Sequence, residues 1–218
     1  MKWWKILGIV LLFYALVAGL LLPVPKLPIL EQSIRNLYYH VPMWFGMLAL
    51  LIASAIYAGQ TLNKKGSKYD MLSSSYAQVA MLYGILGLLT GMVWAKNTWG
   101  AYWTNDPKLN SAAIGMLMYA AYFVLRSSIE DDEKKARISA VYNLFCLPVF
   151  IVLIFVLPRL TDSLHPGNGG NPGFNSYDLD SRLRLVFYPA VIGWILIGFW
   201  IADLQIRVKK LADKKYNN

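Results

Sequence analysis

The chain contains two histidines, His40 and His165, and one tight run of large aromatics in Trp99-Gly100-Ala101-Tyr102-Trp103-Thr104-Asn105-Asp106. A neutral imidazole offers one ring nitrogen to a metal and keeps an N–H on the other. Two such rings can hold a haem iron from opposite faces, while large aromatics stack on the porphyrin and keep water out. If residues 99–106 are helical, Trp99, Trp103 and Asp106 recur at i, i+4 and i+7 and share one face. That gives an apolar platform with a polar end, which suits one edge of a flat ligand. Trp94 lies just upstream and is a further candidate for the same surface.

Each of these residues also has a plain structural reading. His40 precedes Val41-Pro42, and proline suits the first turn of a helix, so His40 can be an interfacial residue. His165-Pro166 can be turn chemistry. Trp99, Tyr102 and Trp103 can be an interfacial aromatic belt, although belt residues scatter over helix ends and these crowd into one connection. Asp106-Pro107 reads as an N-cap followed by proline at the first helical position.

The elements that must position these residues are apolar. The chain has 218 residues, of which 57% are hydrophobic and only 15% charged, against roughly a quarter charged in a soluble domain. Charges gather in short clusters separated by the uncharged stretches Ile6–Leu22, Val41–Asn63, Met71–Ala95, Leu109–Leu125, Ile138–Leu157 and Leu185–Ala202. Each runs about 17 to 25 residues, enough to cross a ~30 Å hydrocarbon core as a helix. The reading is an all-α integral membrane protein, one polytopic domain over 1–218. Its six transmembrane helices are expected at about 4–22, 41–62, 71–95, 108–126, 138–157 and 185–206. The first run is long for a signal peptide, and no small-x-small cleavage site precedes Pro23–Pro28, so it is read as an anchor. Pro148 and Asn143 in the fifth helix are expected to mark a kink.

Lysine and arginine set the orientation. Of 21 such residues, 14 fall in the N-terminus (Lys2, Lys5), the second connection (Lys64, Lys65, Lys68), the fourth (Arg126, Lys134, Lys135, Arg137) and the tail (Arg207, Lys209, Lys210, Lys214, Lys215). Seven fall on the other side: Lys26, Arg35, Lys96, Lys108, Arg159, Arg182 and Arg184. Both termini are therefore expected in the cytoplasm. The connection over 96–110 and the long one over 158–184 then face outward, each with part of the candidate site. Pro166, Gly167, Gly169, Gly170, Pro172 and Gly173 make the second of these irregular. Arg35, Lys96, Lys108, Arg182 and Arg184 share the outer layer and can pair with two propionates, Arg35 being the first choice.

The same bias accounts for most of the net +9 charge. It calls for no nucleic acid, and the basic tails suit anionic membrane lipid. Cys146 is the one cysteine, so there is no disulfide pair and no Cys-x-x-Cys-His for covalent haem. There is no Gly-x-x-x-x-Gly-Lys-Ser/Thr loop, so no nucleotide is hydrolysed by that route and the chain is not read as an enzyme. The helices carry no ladder of ionisable groups and the chain no convincing repeat, against an ion-coupled or inverted-repeat transporter.

Residues 99–110 resemble the tryptophan-rich "WWD" signature of the haem-handling membrane proteins of cytochrome c biogenesis, roughly Trp-Gly-x-Trp-Trp-x-Trp-Asp-x-Arg-Leu-Thr. Trp99, Gly100, Trp103, Asp106 and Leu109 coincide with it. Tyr102 and Lys108 are conservative departures, while Asn105 stands for a tryptophan and Asn110 for a threonine. Gly91-Met-Val-Trp94-Ala-Lys96 fits the lead-in. Arg35-Asn-Leu-Tyr38-Tyr39-His40-Val41-Pro42 is similar to the Arg-x-x-Tyr-x-His-Val-Pro segment, and Ser163-Leu164-His165 to the Ser/Thr-Leu-His segment; in that family each supplies one axial histidine. The likeness covers about residues 30 to 200. The six-helix, two-histidine plan is similar to the haem exporter C subunits (cytochrome c maturation protein C).

The resemblance implies a bacterial inner-membrane protein that holds haem b non-covalently at the periplasmic face. It implies delivery to a periplasmic haem chaperone, beside an ATP-binding-cassette (ABC) transporter and a small single-helix subunit. His40 and His165 would be the iron ligands, with Trp94, Trp99, Gly100, Tyr102, Trp103, Asp106 and Arg35 around the porphyrin. Two other readings stay open at this point. One is a cytochrome b-like electron carrier, whose histidines normally sit within helices. The other is a haem-free transporter or scaffold subunit whose aromatic loop docks a partner.

Overall fold

The computed structural model describes residues 2–27, 29–64, 67–165 and 179–216. Six long α-helices account for most of them: α1 Trp3–Leu21, α2 Leu37–Lys64, α3 Ser67–Trp99, α4 Pro107–Ser127, α5 Asp132–Ile151 and α6 Ser181–Tyr216. All six are long and apolar enough to cross a membrane. In hydrocarbon every backbone N–H and C=O must be satisfied internally, which a continuous helix does.

Several helices outrun the uncharged stretches that announced them. α2 begins at Leu37, not Val41, because a 3-10 turn at Glu31–Asn36 feeds directly into it. His40 is thus in the first turn of α2, and Pro42 lies inside the helix. α3 starts at Ser67 and α6 at Ser181, because polar residues continue a helix beyond the hydrocarbon as readily as apolar ones. At 36 residues α6 is about 54 Å long, which exceeds a bilayer core. α5 ends in a wider, π-type turn at Val152–Val156 and a 3-10 turn at Leu157–Arg159.

Pro148 lies inside α5, and the irregular turns begin four residues beyond it. Asn143 has a different part from the kink expected of it. Fully buried, its amide donates to Ser54 Oγ (2.7 Å) and Ser73 Oγ (3.1 Å), tying α5 to α2 and α3. Ser54 Oγ itself donates to the Ser73 carbonyl at 2.7 Å. Such small polar residues hold helices together where lipid provides no hydrophobic drive.

α2 is the central helix, packed on α3, α5 and α6, while α1 lies against α6. One buried cluster joins Met47, Leu50 and Leu51 of α2 to Tyr83 of α3, Met116 of α4 and Phe150 of α5. A second joins Ala15 and Ala18 of α1, Leu37 and Tyr38 of α2, and Leu183, Val186 and Phe187 of α6. Outward faces remain apolar, as at Phe13, Val93, Leu117, Phe145 and Ile192, which is what a lipid-facing bundle presents. The ends are fastened by ion pairs: Lys5 Nζ to Asp203 at 2.7 Å, and Arg126 to Asp70 through two 2.6 Å bonds. The connections α1–α2, α3–α4 and α5–α6 share the opposite end, and both histidines are found there.

Candidate functional site

α3 stops at Trp99 because Gly100 adopts φ +82°, a left-handed conformation that costs glycine little. Its N–H still donates to the Lys96 carbonyl at 3.2 Å, and Lys96 Nζ returns to the Gly100 carbonyl at 2.7 Å. From Gly100 to Asp106 the chain is irregular. The single helical face expected for Trp99, Trp103 and Asp106 therefore does not form. Trp99 closes one helix, Asp106 opens the next, and Trp103 lies between them, 40% exposed with its indole N–H on Asn110 Oδ1 at 3.3 Å. Tyr102 is 55% exposed beneath the Lys96 ammonium, 5.7 Å from its ring centre.

Asp106 is the N-cap of α4 with Pro107 in its first turn, as the dipeptide indicated. Its Oδ1 accepts from the backbone N–H of Lys108 (2.9 Å) and Leu109 (3.3 Å). The carboxylate also reaches a segment more than fifty residues away. Oδ1 accepts from His165 Nδ1 at 2.9 Å, and Oδ2 from Ser163 Oγ at 2.8 Å and the Leu164 N–H at 2.7 Å. The His165 ring meets Trp99 edge to face, with centroids 4.9 Å apart. One loop histidine, one helix-ending tryptophan and one helix-capping aspartate thus form a unit.

Burial works against the charge on Asp106, but hydrogen bonds from His165, the Leu164 N–H and Ser163 outweigh it and hold the carboxyl well below the usual carboxylate range. Burial pushes the His165 imidazole below its ordinary value, the Asp106 hydrogen bond offsets this in part, and Lys108 adds to the push. At neutral pH the pair is a carboxylate and a neutral imidazole. With Nδ1–H given to Asp106, the lone pair is on Nε2.

His40 is built differently. Its Nδ1 donates to the Gly87 carbonyl of α3 at 3.0 Å, with Thr90 Oγ1 3.3 Å away. Trp94 and Trp44 contact its ring edge to face at 5.8 and 6.4 Å. Gly91 makes this approach possible, because a Cβ at that position would be 2.6 Å from His40 Cε1. Here too the acceptor on Nδ1 leaves the Nε2 lone pair. Trp94 is itself fixed by an indole N–H bond to Ser33 Oγ at 3.2 Å.

Arg35, expected at a propionate, is turned to α1. Its Nη1 donates to the carbonyls of Gly19 (2.5 Å) and Leu22 (3.0 Å), and its Nε to Gln32. It closes the C-terminus of α1, where the last carbonyls lack helical partners. Lys108 stands two residues after Asp106 in the first turn of α4, and its charge bears on the His165 imidazole. Gly87, Thr90, Gly91, Trp44 and Ser163 belong to the surroundings of the histidines but were not singled out as candidates from sequence. Gly91 and Ser163 fall in the lead-in and Ser-Leu-His segments quoted above, the spacing of Trp44 four residues after His40 is a further local signal, and nothing local marks Gly87 or Thr90. Of the long outer connection, residues 166–178, with their prolines and glycines, lie outside the described residues. Among the described residues no three His, Cys, Asp or Glu side chains cluster as a metal site.

A family model described as Heme exporter protein C matches residues 1–216. A Heme exporter protein C of Bradyrhizobium diazoefficiens is 31% identical over 113 residues, covering 51% of this chain and 43% of that protein. One from Escherichia coli K12 is 21% identical over 185 residues, 84% of this chain and 70% of that protein. A Cytochrome c biogenesis protein CcsA of Parasynechococcus marenigrum is 35% identical over 92 residues, 42% of this chain and 30% of that protein. The matched stretch thus spans about half or less of the first and last of these relatives.

Proposed function

The chain belongs to the Heme exporter protein C family, and from that membership we propose that it holds haem b between His40 and His165 and passes it on in cytochrome c biogenesis. The observation that carries this reading is shared by the two histidines. Each Nδ1–H already has an acceptor, so each Nε2 is an oriented, unprotonated donor. Fixing one ring nitrogen to prepare the other for a metal is the usual second-shell arrangement. A macrocycle brings its own four nitrogens, so two imidazoles complete the iron.

Within this reading the protein's groups divide the work. Trp94, Trp44 and Trp99 pack on the imidazole rings, hold them in place and keep water from the axial bonds. Tyr102, Gly100 and Trp103 form the open rim, suited to the porphyrin edge or to an incoming partner. Lys108 takes the propionate role first given to Arg35. Two axial bonds fill the iron's coordination and suppress oxygen chemistry while the cargo is held. Release breaks both bonds, so it requires a partner with a donor of its own.

The lysine and arginine bias supports an orientation with both termini cytoplasmic and this end of the bundle outside, and family membership supports a bacterial inner membrane, with this end periplasmic. The acceptor is then a periplasmic haem chaperone. An ABC transporter and a small single-helix subunit are the companions, with anionic lipid around the basic inner ends.

A second reading, a membrane electron carrier, draws support from His40 lying inside α2. His165 in an irregular segment speaks against it. Haem titration of the detergent-purified parent and of the His40→Ala/His165→Ala double variant tests the main reading. Binding is expected to be lost in the double variant, and retained binding would end the proposal. Transfer of bound haem to an added haem-binding acceptor separates a delivery protein from an electron carrier, which would keep it.

A further inference from the structure

We propose that the two axial ligands are unequal, with Asp106 making His165 the stronger donor and leaving His40 as the bond that exchanges first. The inference rests on the haem-holding function proposed above and concerns how that site lets go. The two Nδ1–H groups face chemically different acceptors. His165 donates to a buried carboxylate at 2.9 Å, with Asp106 only 3% exposed. His40 donates to a neutral peptide carbonyl at 3.0 Å. Neither acceptor is exclusive to its imidazole: the Thr90 hydroxyl lies 3.1 Å from the Gly87 carbonyl, and the Lys108 and Leu109 N–H groups also donate to Asp106 Oδ1, so the difference between the two acceptors is one of charge.

A hydrogen bond to an ionised acceptor is roughly twice as strong as one between neutral groups. The stronger acceptor draws the Nδ1 proton further from the ring and pushes electron density towards Nε2. This raises the basicity of the iron-binding nitrogen, an established outer-shell effect. Asp106 suits this task because four other donors fix it. The N–H groups of Lys108 and Leu109 hold Oδ1, while Ser163 Oγ and the Leu164 N–H hold Oδ2. The carboxylate can neither rotate away nor readily accept the proton. Asp106 is thus a positioning residue, acting on the iron through His165.

The consequence for handover is an order. A donor from outside replaces the weaker bond first, on the His40 side, while His165 keeps hold of the cargo. The balance is a ligand exchange: the His40 Nε2 lone pair leaves the iron, the incoming lone pair takes its place, and no electron or proton changes owner. His165 follows in a second exchange.

The test uses haem-loaded, ferrous, detergent-purified protein and the iron–histidine stretching frequency from resonance Raman spectroscopy. His40→Ala leaves His165 as the sole axial ligand, and His165→Ala leaves His40. The expected result is a higher frequency in His40→Ala than in His165→Ala. Adding Asp106→Asn to His40→Ala is expected to lower it, and Asp106→Glu to restore part of the difference. Equal frequencies in the two single variants would overturn the inference without help from any Asp106 variant, and leave the haem site standing. A Soret band indifferent to both histidine replacements would overturn the haem site as well.

Discussion

Five donors from two distant segments meet at the Asp106 carboxylate, so its replacements separate its roles. Asparagine keeps an oxygen for capping α4 but removes the charge. Alanine removes both, leaving helix N–H groups and the Ser163–His165 turn without their acceptor. We expect Asp106→Ala to cost about 1–3 kcal/mol and Asp106→Asn clearly less, measured as thermal unfolding in detergent. The Asp-Pro pair announced the cap, since capping is a local matter of one residue and the next turn. The bonds to Ser163, Leu164 and His165 were not legible, because nothing local links residues 106 and 165. The two histidines stood out because the chain has no others and because each lies in a segment similar to one that supplies an axial histidine.

Pairs of helices, not single residues, place His40. Its ring rests against α3 at Gly91, where a methyl group would meet His40 Cε1 at 2.6 Å. Gly91→Ala is expected to displace the imidazole and weaken or abolish the low-spin haem spectrum. Gly59→Ala, with open space around the added carbon, is expected to leave it unchanged. At the other end the Asp70–Arg126 pair joins α3 to α4 with both side chains largely buried. Arg126→Ala strands the carboxylate, and we expect a loss of about 3 kcal/mol, whereas Asp70→Asn combined with Arg126→Gln loses less. Chemical denaturation of the two variants beside the parent checks this. The helices themselves were legible from uncharged runs, though their ends were not. Charged and polar residues continue α2, α3 and α6 past the apolar stretches, and Gly100 ends α3 before the helical face that the Trp99–Asp106 spacing allowed can form.

The bundle as a whole gathers three connections at one end, and with them every candidate site residue. The fourteen-to-seven division of basic residues predicts that this end faces away from the cytoplasm. Cysteines placed at Asn105 and at Lys134 test it in intact cells with a membrane-impermeant maleimide. Asn105→Cys is expected to label and Lys134→Cys only after lysis. Cys146 is fully buried and contributes little background.

The central claim is that two histidines from different parts of the chain hold one iron. The most direct measurement is the absorption spectrum of the haem-loaded protein beside the His40→Ala and His165→Ala single variants. The account predicts a six-coordinate, low-spin Soret band in the parent, altered in each variant. A parent without that band, or a band unchanged by either substitution, would contradict it.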